Sequence, residues 1–172
     1  MNAHIVEHSK EFDLGGVVPW GRRLWEYRAF FGLDEFPPLS PILDAGGGPA
    51  SFAAEAAREG LTVVAADPIY ALDADVIALR FEETAAAMRL GLRRAAYRFN
   101  WKQYGSEAAV QGLRREALDL FLEDFEAGKA EGRYVPASLP ELPFGNASFR
   151  LALVSHFLFL YGDDLNFAFH LA

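Results

Sequence analysis

Two aspartates define the chemistry this sequence can offer. Asp44 ends a short apolar run, Ile42-Leu43-Asp44, and stands directly before Ala45-Gly46-Gly47-Gly48-Pro49. A strand tip followed by glycines presents backbone N–H groups and a helix N-terminus to a ligand with no Cβ in the way. Many nucleotides would fit such a turn, but the acid narrows the choice. The dinucleotide fingerprint holds an anionic pyrophosphate, which Asp44 would repel. A carboxylate there suits a ligand with a cationic amino group, whose hydrogen bonds it can accept directly or through water. Asp67 ends the next apolar run, about 20 residues after the turn, where a carboxylate can accept both hydroxyls of a ribose. Pro68, Ile69 and Tyr70 follow it and offer apolar surface on which a base could stack. The plainer alternative for each acid is a cap on its own turn.

Other residues carry weaker signals. His156 falls at the end of an apolar strand and could act as a base or orient a substrate, although a packed or donor-lining histidine is the simpler reading. Tyr161 could meet a cation through its ring, but Phe157, Phe159 and Tyr161 together more often mean core. Arg89, Arg93, Arg94, Arg98 and Lys102 form a basic run that reads as a solvated face balanced by nearby acids. His4 and His8 have helical spacing without a third ligand, so no metal site is expected. Asn146-Ala147-Ser148 is read as a turn.

The elements that must position these residues follow from periodicity. Leu24, Tyr27, Phe30 and Phe31 predict a short amphipathic helix over about residues 22–31. A strand is expected at residues 42–44, a helix at 50–59 stopped by Gly60, and a strand at 61–66 apolar enough for burial on both faces. This is a βαβ unit, for which a right-handed parallel crossover is expected. The stretch over about residues 73–132 has no strand-like run and predicts two helices, near residues 74–99 and 106–126. The second carries the stripe Val110, Leu113, Ala117, Phe121, Phe125, with Ser106 as N-cap and Gly128 beyond its end. One crossover helix needs fewer residues, so this segment reads as a helical insertion that selects the substrate. Strands are expected at residues 133–135 and 149–156, the latter after the turn 145–148, and Asp163-Asp164 could cap a final helix.

Composition bounds the reading. A chain of 172 residues, 52% apolar, supports one domain over residues 1–172. The net charge of −8 disfavours nucleic acid as a partner, because phosphate-tracking surfaces are basic. The absence of cysteine excludes disulfides and thiol catalysis. With neither a basic-then-apolar leader nor an apolar run of roughly 18 residues, the expectation is a soluble cytoplasmic protein that does not meet the membrane.

Three segments, taken in order, resemble class I S-adenosylmethionine-dependent methyltransferases: residues 42–52 with the glycine turn, Ala66-Asp67-Pro68-Ile69-Tyr70, and Leu142-Pro143-Phe144-Gly145-Asn146-Ala147-Ser148-Phe149-Arg150-Leu151. The likeness covers roughly residues 41–70 and 133–161. It implies a Rossmann-like parallel sheet with flanking helices and a helical insertion between strands 2 and 3. It also implies S-adenosyl-L-methionine as cofactor, held by Asp44, Ala45, Gly46, Gly48, Asp67, Pro68, Ile69, Ser138, Leu139 and Ser155. Ser138 stands where an acid commonly meets the adenine amino group, and a backbone group near Leu139 would take that role. Ala50 replaces a third glycine, and Arg150 replaces the usual Asp before the fourth strand.

The resembled fold has seven strands, whereas this sequence offers four, so the C-terminal strands are expected to be missing. An apolar fourth strand left at an edge would then favour self-association. The implied activity is methyl transfer to a small or medium-sized acceptor, with Trp20, Tyr27 and Trp101 as possible pocket residues. The alternatives are a non-catalytic binding or assembly module, an inactive fragment, and a dinucleotide-dependent oxidoreductase.

Overall fold

In the computed structural model, residues 19–35, 37, 39–94, 96–98, 101–155 and 168–169 are described. Four parallel strands, β1 (Ile42–Ala45), β2 (Val63–Ala66), β3 (Tyr134–Val135) and β4 (Leu151–Leu153), form one sheet in the order β3-β2-β1-β4. Asp44 is level with Ala65 on one side and Leu153 on the other. Among the described residues, the α-helices α1 (Leu24–Phe31), α2 (Phe52–Arg58), α3 (Ala74–Arg94) and α4 (Glu107–Ala130) complete an α/β architecture consistent with a Rossmann-like fold. The strand order reverses between β1 and β4, and in open parallel sheets ligands bind outside the carboxyl ends at such a point.

Strand alternation divides the sheet into two unlike faces. Ile42, Val63, Ala65 and Leu153 share a core with Tyr27 of α1, Phe52 of α2, Phe81 of α3, and Phe121 and Phe125 of α4. Leu43, Ala45 and Ala66 point the other way, against Ala137, Leu139, Leu142, Phe144 and Phe149. Helices therefore cover the first face, and the loop after β3 covers the second.

Local signals explain most boundaries. α1 starts where Glu26 Oε2 accepts the Arg23 N–H at 2.9 Å, and ends where Gly32 turns left-handed at φ 61° and donates to Arg28 O. The Ser106 cap is present, its hydroxyl accepting from Ala109 N at 3.2 Å. Three expectations need correction. The stripe on α4 runs through Arg114 and Leu118 as well as Val110, Ala117, Phe121 and Phe125, and Leu113 is only half-buried. Arg114 can be inside because it pairs with Glu26, whose side chain is fully buried. Gly128 is not beyond the helix but within it: a Cβ there would stand 2.5 Å from the Tyr134 ring, so this glycine permits helix and β3 to approach. β4 is confined to three residues, Leu151–Leu153, rather than residues 149–156. His4, His8, His156, Tyr161 and the Asp163-Asp164 cap lie outside the described residues.

Among the described residues no helix is long and apolar enough to cross a membrane, and no group of three or more His, Asp or Glu residues could hold a metal ion.

Candidate functional site

The turn after β1 is built from conformations that suit glycine. Gly46 and Gly48 have φ of 74° and 56°, a region costly to residues with a Cβ. At Gly47 space is the constraint, since a Cβ would lie 2.3 Å from Asp44 Oδ2. The turn is thus folded back over the carboxylate that precedes it.

Asp44 is 1% exposed. Its oxygens accept from the Tyr27 hydroxyl at 3.1 and 2.9 Å, and the Tyr27 ring is stacked on Phe52 at 4.0 Å between centroids. Burial pushes the Asp44 carboxyl up to about 7; the Tyr27 hydrogen bond opposes this and the negative charge of Asp67 adds to it. The group therefore sits at the boundary between neutral and ionised at physiological pH. Tyr27 is 1% exposed, so it is a support for Asp44 rather than an exposed pocket or lid residue.

Asp67, 8% exposed, closes the other side of the turn. One oxygen accepts from Gly48 N at 2.9 Å and the other from Ile69 N at 2.9 Å, the second bond capping the short 3-10 turn Pro68–Ala71. Burial raises its pKa against these two backbone donors. A carboxylate offers about four acceptor positions, so these two bonds leave about two unfilled. Sequence spacing found both acids but not the Asp67–Gly48 bond that ties them into one unit.

The remaining expected residues divide. Gly46 N donates to Ala66 O at 2.8 Å, so this N–H extends the sheet. Ala45 is buried against Leu43 and Ala66, and its side chain belongs to the second core. Pro68 is exposed and Ile69 half-buried at the tip of β2. Tyr70 is not a surface for base stacking: it is 0% exposed, packed among Phe121, Phe125 and Tyr134, and its hydroxyl donates to Gly48 O at 2.7 Å. It braces the turn from beneath. Leu139 packs on the second sheet face beside Ala45 and Ala66, while Ser138 is exposed and its hydroxyl donates to Leu139 O at 3.1 Å. Ser155 is half-buried, two residues beyond Leu153 and so past the carboxyl edge of the sheet. Trp101 is at the α3–α4 connection, donating to Ala96 O at 2.8 Å.

One part of the surroundings has no sequence signal. The segment before α1 lies against the turn: a Cβ on Gly21 would stand 2.0 Å from Pro49 O, and Ser51 N donates to Arg22 O at 3.1 Å. Arg114 of α4 reaches this segment, donating to Gly21 O at 2.8 Å and to Glu26 Oε2 at 2.9 Å.

Fold and site together define an α/β protein with an acid-flanked glycine turn at the switch point of a parallel sheet. The chain is 31% identical over 159 residues to the uncharacterized protein MJ0045 of Methanocaldococcus jannaschii, a match covering 92% of this chain and 71% of that protein. It belongs to the same family as MJ0045. No protein-family model matches the chain, and no solved structure matches it.

Proposed function

We propose that this chain binds S-adenosyl-L-methionine at the glycine turn and transfers its methyl group to a small or medium-sized acceptor. One observation carries the reading: Asp44 and Asp67 stand at the carboxyl ends of adjacent parallel strands, with Asp67 bonded to Gly48 of the turn that follows Asp44, and β1, which carries that turn, also borders the point where the strand order reverses. The Cβ-free turn over Asp44 suits close approach of a ligand. When bound, the cofactor supplies a methyl group already activated by a sulfonium.

The chain's residues have the remaining tasks. Asp44, held by Tyr27, attracts the ligand's ammonium, and Asp67 uses its two unfilled acceptor positions for the ribose hydroxyls. Pro68, Ile69 and Leu139 supply apolar surface for the base, with Ser138 at its edge. Ser155, just past β4, borders the methyl, and His156 follows it. In-line displacement needs little beyond orientation and exclusion of water, so no dedicated base is required. The segment carrying α3 and α4, inserted between β2 and β3, selects the acceptor.

Calorimetry tests this. S-adenosylmethionine and its demethylated product should both bind, and Asp67→Ala should abolish the heat. No heat with either, together with tight NAD binding, refutes the proposal in favour of an oxidoreductase. A second reading, a non-catalytic binding or assembly module, is favoured by one feature: both acids already have partners within the protein. Binding without methyl transfer across a broad acceptor panel would select it. Self-association along β4 belongs to either reading, and a monomer by light scattering counts against it.

A further inference from the structure

Helix α3 has two apolar faces, and the core takes one of them. Ile77, Phe81, Met88 and Leu92 are buried, and Ile77 and Phe81 join the core shared with α2 and α4. Val76, Leu79 and Leu90 lie on the opposite side of the helix and are exposed, Leu79 by 58% and Leu90 by 49%. Ala86, also exposed, continues the same line. Positions 76, 79, 83, 86 and 90 are spaced alternately by three and four residues, which is the spacing of a seam between two helices. The stripe runs for roughly 21 Å at the rise of an α-helix. Within it only Glu83 carries charge. A continuous apolar stripe on the outer side of a helix marks an interaction surface.

The charges beside the stripe indicate the partner. Asp75, Glu82, Arg89 and Arg93 are exposed and follow one edge of it, the acids in the first half of the helix and the arginines in the second. Glu82 meets Arg115, and Arg93 meets Glu107 at 3.0 Å, both on the surface toward α4. Such exposed pairs are weak and exchange partners at little cost. Acids early and bases late also suit the helix macrodipole, but the dipole requires neither a common edge nor an apolar stripe beside it. When a helix meets its own copy antiparallel, like edges face each other in reversed order, so here acids meet arginines. A parallel pair would instead set Glu83 directly on Glu83 of the copy, and Arg89 beside Arg94. The surface is therefore complementary to itself in one orientation.

We propose that α3 pairs antiparallel with α3 of a second copy of this chain, across a two-fold axis close to residues 84–85. Leu79 then packs on Leu90 of the copy, Glu83 lies beside the small Ala86, Asp75 faces Arg93 and Glu82 faces Arg89, each contact occurring twice. One helix face per chain is a small interface, so the pair is weak and reversible. The inference stands apart from the ligand reading and uses a surface other than β4. Light scattering of the full chain, from low-micromolar to near-millimolar concentration, should show the mass rising toward that of two chains. Leu79→Glu changes an exposed residue; it should keep the melting temperature of the dilute protein and weaken pairing by more than about tenfold, whereas Glu83→Leu should strengthen it by about tenfold. Because the chain has no cysteine, disulfide trapping reads the orientation: a mixture of Leu79→Cys and Leu90→Cys should cross-link, and neither alone should. A monomer at every concentration, a dimer that Leu79→Glu leaves intact, or Leu79→Cys cross-linking with itself as readily as in the mixture overturns the proposal. Should Leu79→Glu melt early, Glu83→Leu decides, since it removes a charge and adds none, and no gain in association then overturns the pairing.

Discussion

Asp44 ties stability to pH in a direction opposite to that of most carboxylates. Its carboxyl moves from an ordinary value of 3.8 to about 7 on folding, chiefly through burial. Between those values the native state holds a proton that the unfolded chain has released, so stability falls as pH rises through this window. The displacement corresponds to about 4 kcal/mol at most. Asp67, also raised by burial, acts in the same sense. Glu26 and Glu55 have lowered values; their stabilising contribution is complete above the ordinary glutamate range and is lost only on acidification below it. Urea unfolding from about pH 5 to 8.5, which spans roughly two pH units of this window, should therefore show wild type losing about 3 kcal/mol, while Asp44→Asn shows a much flatter profile. Tyr27→Phe removes the one hydroxyl on this carboxylate, costing about 1.5–3 kcal/mol at pH 8, less at pH 5, and shifting the decline upward in pH. Parallel profiles for wild type and Asp44→Asn would refute the reasoning.

Further predictions follow the same geometry. Gly47→Ala, whose Cβ would lie 2.3 Å from Asp44 Oδ2, should cost about 1–3 kcal/mol in urea unfolding and weaken S-adenosylmethionine binding. Asp67→Ala frees the Gly48 and Ile69 N–H groups and should lower stability by about 1–3 kcal/mol. Glu26→Ala strands Arg114 in the interior and should cost about 3–5 kcal/mol, whereas the double change with Arg114→Met should cost less than the sum of the singles. Affinity for the cationic amino-acid ligand should rise with pH through about 7 as Asp44 ionises, and Asp44→Asn should abolish that rise.

The sequence by itself determined the parallel core of the fold and singled out the two acids of the candidate site. Apolar runs ending in Asp44 and Asp67 can be read because a buried parallel strand needs an unbroken apolar stretch and a glycine turn needs its glycines locally. Helical periodicity likewise located α1 and α4, the lack of a strand-like run pointed to α3, which ends at Arg94 rather than near residue 99, and Ser106 gave a boundary because capping is local. Tertiary structure decided everything that depends on what approaches from elsewhere in the chain. Tyr27 reads as one residue of an amphipathic stripe until α1 brings its hydroxyl to Asp44. Tyr70 looks like ligand surface until α4 places Phe121 and Phe125 over it. Gly128 reads as a helix stop until Tyr134 packs against it. Arg22 and Arg23 read alike until Glu55 and Glu116 come within reach of Arg23, while Arg22 Nε is buried without a hydrogen-bond partner. Spacing encodes which groups are present, whereas burial and the competition for a limited number of hydrogen-bond acceptors determine what each group does.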